Sequence, residues 1–143
     1  MRPTLTHLAL HVEQLERCLE FYLDFCQLII VHRRQHHDTE VVWLAEQGKE
    51  QQFVLVLLKG GHRQQLATDD FSHLGFAVAS KEEVDSIAAK AKVAGILVWP
   101  ASQHPSPVGY YCGLVDPNGN YVEFSYGQPL GPGADQQNFN QVF

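Results

Sequence analysis

Two histidines and one glutamate in this chain of 143 residues stand where side chains could hold a divalent cation. His7 lies in THLALHV, His73 in SHLGFAV and Glu123 in NYVEFSY. Each stretch alternates large apolar residues with small or polar ones, which predicts a strand with one buried face. Successive side chains of a strand point to opposite sides. Leu8, Leu10 and Val12 therefore share a core face, and His7, Ala9 and His11 share the other. By the same rule Leu74, Phe76 and Val78 oppose His73, Gly75 and Ala77, while Val122 and Phe124 oppose Tyr121, Glu123 and Ser125. Neutral imidazoles plus a carboxylate suit Fe(II), Mn(II), Zn(II), Co(II) or Ni(II), and three protein ligands leave positions open for substrate and water or dioxygen. A single strand histidine is ordinarily a packed or solvated side chain. Here the pattern occurs twice, beside small residues, and an inward carboxylate without a partner would be costly to bury.

The elements that position these groups come as a repeat. HLALHV aligns with HLGFAV at an offset of 66 positions, and each copy is followed by a helical pattern. Leu15, Cys18, Leu19 and Tyr22 fall on one helical face, as do Val84, Ile87, Ala88 and Ala91. Ser80 and Glu83 form a Ser-x-x-Glu capping box, and Gly95 stands where a left-handed residue would end the second helix. Three strands are predicted after each helix. They are LIIVHR, VVWLAE and QQFVLVLL in the first half, and ILVWPA, GYYCGLV and NYVEFSY in the second, separated by Gly, Pro and Asn turn signals. The reading is one α+β domain over residues 1–143 made of two βαβββ modules (4–60 and 71–127), with a polar connector between them. Residues 128–143, rich in Gly, Pro and Gln, read as an extended tail.

Composition narrows the class. The length and 45% hydrophobic content fit one core, and a formal charge of −6 with no basic cluster beyond Arg33-Arg34 argues against a nucleic-acid or anionic-membrane partner. No apolar run reaches membrane-spanning length, and no signal-like segment follows Met1, so a cytoplasmic protein is expected. Cys18, Cys26 and Cys112 are odd in number and lack CxxC spacing, which predicts reduced core thiols. His36-His37 and His62 read as solvated loop side chains, His11 as at most pocket-lining, and Trp43 and Phe53 as core or dimer-contact aromatics.

With its doubled βαβββ order, LTHLALHV followed by LERCLEFYLDFCQL, FSHLGFAV and LVDPNGNYVEF, the chain resembles the vicinal oxygen chelate superfamily over roughly residues 4–127. That superfamily includes glyoxalase I, fosfomycin-resistance enzymes, bleomycin-binding proteins and extradiol dioxygenases. The resemblance implies an open, barrel-like eight-stranded mixed sheet with helices outside. It also implies one metal ion, with Fe(II) favoured here and Mn, Ni, Co or Zn as alternatives, and a homodimer acting on a small-molecule substrate. His7, His73 and Glu123 match ligand positions of the family. The second-ligand position, a Glu in glyoxalase I, is Val56 here, with Gln52 nearby. An ordinary glyoxalase I, which uses that ligand as its proton-moving base, is therefore disfavoured. His104, nineteen positions before Glu123, resembles the acid/base histidine of extradiol enzymes. Their tyrosine position is Gly113, leaving Tyr111 as the nearby substitute. The alternative reading of His104 is a surface-loop residue beside Pro105. The leading functional expectation is extradiol-type ring cleavage. The alternatives are a glyoxalase-like lyase or thiol transferase, and a non-catalytic binding or resistance protein.

Overall fold

A computed structural model describes residues 1–142; Phe143, the last residue of the tail, lies outside them. The chain forms two compact units, Met1–Gln65 and the part from Leu66 onward. Unit 1 runs β1 (His7–Val12), α1 (Leu15–Asp24), β2 (Ile29–His36), β3 (Thr39–Ala45) and β4 (Val54–Lys59). Unit 2 runs β5 (His73–Ala77), α2 (Lys81–Val93), β6 (Leu97–His104), β7 (Gly109–Val115), β8 (Tyr121–Tyr126) and α3 (Gln136–Val142). Both modules are thus βαβββ, and the class is α+β. The eight strands do not close into one barrel-like sheet. They form two four-stranded sheets, ordered β1-β4-β3-β2 and β5-β8-β7-β6. In each, the first strand pairs in parallel with the last and the other pairs are antiparallel.

Each helix lays its apolar stripe on its sheet. Leu15, Cys18, Leu19 and Tyr22 are buried, joined by Phe21, against a core that includes Val12, Val42, Leu44 and Leu57. In unit 2 Val84, Ala88 and Ala91 are buried with Cys112, Leu114, Val122 and Phe124. The predicted caps of α2 are present. Ser80 Oγ accepts from the Glu83 backbone N–H at 3.2 Å, although Glu83 reaches back to the N–H of Ala79 rather than that of Ser80. At the other end Gly95 has φ +73°, and the Gly95 and Ile96 N–H groups bond the Lys92 and Ala91 carbonyls, a Schellman end. Cys18 and Cys112 are buried and Cys26 is half-buried, all reduced. Burial, with the charges of Asp85 and Glu123, pushes the Cys112 thiol up to about 11.

Several expectations need correction. His36 lies within β2, not in a loop, and Leu8, expected in the core, is 40% exposed because the buried part of β1 is its Val12 end. His104 is the last residue of β6, opposite Gly109, so the loop reading of it falls. Trp43 and Phe53 are not core residues: 37% and 40% exposed, they stand on the open side of the unit 1 sheet. The tail ends in α3 instead of running extended, and it folds onto its own unit. There Gly131 approaches Ala77 and Gly133 approaches the Tyr126 ring so closely that a Cβ at either would clash. Among the described residues no helix is long and apolar enough to cross a membrane.

Candidate metal centre

The inner face of the unit 2 sheet is built around Glu123. In the ladder Glu123 stands opposite Gly75 on β5 and Gly113 on β7, and Gly113 in turn faces Trp99 on β6. The two glycines do different things. At Gly75 a Cβ would meet open space, which leaves room beside the carboxylate. At Gly113 a Cβ would lie 2.0 Å from Trp99 Cε3, so the indole occupies the volume of the missing side chain. Trp99 also makes edge contacts with the rings of His73 (5.7 Å between centroids), Tyr121 (5.2 Å) and Tyr111 (6.4 Å).

The hairpin that sets Glu123 in place is held by Asp116-Pro117-Asn118-Gly119-Asn120. The buried Asp116 carboxylate accepts the backbone N–H groups of Asn118 (2.8 Å) and Asn120 (2.9 Å), and its own N–H donates to the Asn120 carbonyl at 2.8 Å. Gly119 takes φ +84°, which an L side chain would disfavour.

Within unit 2 the structure brings together His73 and Glu123. His73 Nε2 lies 3.1 Å from Glu123 Oε2, and His73 Nδ1 lies 2.6 Å from the Phe71 carbonyl oxygen. A carbonyl can only accept, so Nδ1 carries a hydrogen and donates to it. In the neutral ring Nε2 then presents a lone pair to a carboxylate oxygen that also offers only lone pairs. Two acceptors at this distance need a cation between or beside them, either a proton on the imidazole or a metal ion. A backbone carbonyl holding the far nitrogen is the arrangement that orients metal-binding histidines. The donor set therefore fits a divalent metal. Glu123 is only 8% exposed, and its second oxygen, Oε1, accepts from Gln128 Nε2 at 3.1 Å, while the same amide donates to the Val108 carbonyl at 3.0 Å. Sequence periodicity missed Gln128 because it lies past the strand. The only hint is Gly127, whose φ of +85° turns the chain back. Replacing Gln128 by Ala should weaken metal affinity about 10-fold by freeing the carboxylate to rotate. Isothermal titration with Mn(II) would measure it, and Gln128→Glu should be worse than Gln128→Ala because it sets a second anion against Glu123.

The other predicted residues are placed as follows. His104 and Tyr111 meet on one side of the β6–β7 hairpin, ring centroids 4.8 Å apart and tilted by 31°, and His104 Nε2 lies 2.9 Å from Ser102 Oγ. Tyr111 is two residues along β7 from Gly113, on the same face as Glu123. His7 stands in unit 1, its Nδ1 2.9 Å from Thr6 Oγ1. It lines a cavity of about 520 Å³ in that unit together with Val56, which carries no ligand atom. His11 is turned to the Lys59 carbonyl, 3.2 Å from its Nε2. Within each unit, among the described residues, no three His, Cys, Asp or Glu side chains are gathered as a cation cluster.

Two βαβββ modules, each a four-stranded sheet with one helix between its first and second strands, define an α+β protein of duplicated units. Residues 4–124 match the model of the Glyoxalase/Bleomycin resistance protein/Dioxygenase superfamily, and the chain belongs to that family. It is 56% identical over 135 residues to PA2024 of Pseudomonas aeruginosa, itself an uncharacterised protein, covering 94% of this chain and 96% of that one. Among solved structures it resembles a mutant form of the fosfomycin resistance protein FosX of Listeria monocytogenes, complexed with Mn(II) and 1S,2S-dihydroxypropylphosphonic acid. That match has a TM-score of 0.71 and 17% identity, over 98% of this chain and 99% of that one. It also resembles the trypanothione-dependent glyoxalase I of Leishmania major, with a TM-score of 0.70 and 16% identity, over 99% and 94% of the two chains. At these identities the structural likeness establishes the fold.

Proposed function

We propose that the chain is a metal-dependent enzyme acting on a small molecule with two neighbouring oxygens, in which His7, His73 and Glu123 together hold one divalent cation, Fe(II) being favoured. The observation that carries this reading is the contact between His73 Nε2 and Glu123 Oε2, two acceptors that call for a proton or a metal ion to bridge them. A bound divalent metal would supply Lewis-acid stabilisation of negative charge developing on the substrate oxygens. The chain's own groups do the rest. The Phe71 carbonyl sets the tautomer of His73, and Gln128 fixes the rotation of Glu123. His104, seated against Tyr111, would exchange a proton with a substrate hydroxyl. The protein would act as a cytoplasmic homodimer, for which the exposed Ile30, Val31 and Phe71 offer apolar surface.

Extradiol-type cleavage of a catechol, in which both atoms of dioxygen enter the product, is the leading reaction. A second reading, thiol addition or isomerisation, is supported by one observation: Gly113, which by resemblance stands at the tyrosine position of ring-cleaving enzymes, lies directly under the Trp99 ring, leaving no room for a side chain there. Metal analysis of anaerobically purified protein separates the readings. Stoichiometric iron with a yellow product from catechol supports ring cleavage. Nickel, zinc or manganese with turnover of a thiol and an oxygenated metabolite supports the second reading. Absence of any metal after repletion overturns both and leaves a binding protein.

A further inference from the structure

The cavity of about 520 Å³ on the open side of the unit 1 sheet has the size of small-molecule sites and is walled by apolar side chains, including Trp43, Phe53 and Val56, interspersed with polar and charged ones. Its charge is not accounted for by the metal reading. Adjacent arginines on β2 have opposite fates, because alternate side chains leave a strand on opposite sides. Arg33 is bound by two carboxylates, Glu16 and Glu40. Arg34 points into the cavity, where its guanidinium carbon lies 5.9 Å from the centroid of the Trp43 ring, and among the described residues no carboxylate pairs with it. Glu50 also lines this cavity, but it is turned to its own loop. Hydrogen bonds from backbone N–H groups, first that of Gly48 at 2.9 Å, hold its carboxyl below the usual carboxylate range.

A guanidinium resting on an indole keeps the N–H groups of its edge for an acceptor, and that fork matches a planar carboxylate with two parallel hydrogen bonds. The indole and Phe53 offer surface to a flat apolar body. The single positive charge of Arg34 matches a monoanion, whereas a dianion would bring a second negative charge into a cavity that Glu50 also lines.

We propose that this cavity is a recognition site for a small, flat, apolar monocarboxylate, its carboxylate on Arg34 and its body against Trp43. That the ligand is the substrate rests on the metal-dependent reading, since His7 lines the same cavity; that the anion binds does not.

Calorimetric titration of the full chain as purified, with benzoate, phenylphosphonate and benzamide at pH 8, tests it. Benzoate should bind saturably, at least about 10-fold tighter than neutral benzamide or dianionic phenylphosphonate, and should still bind after chelation of any metal. Arg34→Gln should weaken benzoate about 10-fold or more with an unchanged melting temperature, and Arg34→Lys should fall between, keeping charge but losing the fork. Benzamide or phenylphosphonate binding as tightly as benzoate, no saturable benzoate binding, or an Arg34→Gln variant that binds like the parent would overturn the site. Metal binding measured on the same samples keeps the two ideas apart: its loss with benzoate binding retained sinks the metal reading alone.

Discussion

Glu123→Gln is expected to lower divalent-metal affinity by about 100-fold or more while leaving the melting temperature of the metal-free protein unchanged or raised. The reasoning begins with charge. Outer partners of a metal site are typically worth 10- to 100-fold in affinity, and Glu123 would be the only anionic ligand, so its removal should reach at least the upper end. Stability should not suffer, because Gln has the same shape and can keep both contacts of the carboxylate. In the metal-free parent His73 Nε2 and Glu123 Oε2, 3.1 Å apart, are bridged by a proton. In the variant the amide N–H₂ can donate to His73 Nε2 while the amide oxygen still accepts from Gln128. Competition titration with a chromophoric chelator, alongside calorimetric melting, measures both quantities. Metal retention equal to the parent would remove Glu123 from the ligand set; a collapse in melting temperature would assign it a structural role instead.

Gly113→Ala is expected to destabilise the fold by about 1–3 kcal/mol, a large effect for one methyl group. The new Cβ would stand 2.0, 2.6 and 3.0 Å from three carbons of the Trp99 ring. The indole cannot simply slide away, since the rings of Tyr111, Tyr121 and His73 hem it in. Because His73 is one of those neighbours, the same variant should also lose metal affinity. The control is Trp99→Leu. In that background Gly113→Ala should cost less than half as much, a coupling that a double-mutant cycle in urea reads directly. An additive cycle would show that position 113 is glycine for some reason other than the ring packed over it.

Much of this architecture is legible in the sequence because two periods alternate cleanly. Strands of period two and helices of period 3.6 follow one another twice, and Ser80, Glu83 and Gly95 mark the ends of α2 with local chemistry that needs no tertiary context. The pairing of His73 with Glu123 was also within reach, since alternation alone puts both on one face. Other features depend on contacts that periodicity does not encode. Trp99 lies between two register shifts in β6, the edge strand that carries Pro100, so its direction does not follow from counting residues. His104 reads as loop because Ser102, Gln103 and Pro105 surround it with polar and turn residues, yet the ladder runs to its end. Trp43 and Phe53 look like core by composition. Alternation names the two faces of a sheet without saying which one a helix covers, and here the aromatics line the uncovered side. Gln128 is reached only by a chain reversal after Gly127.

The Asp116 turn has a consequence for the tempo at which the protein can evolve. Because side chains alternate sides, a single-residue insertion or deletion between Asp116 and Tyr121 that slipped β8 by one step would hand the inner face to Val122 and Phe124 and press Glu123 against α2. Substitutions can retune the walls of the pocket one at a time, but the hairpin tolerates no gradual change of length. The backbone hydrogen bonds around Asp116 make the spacing from Asp116 to Glu123 all-or-none.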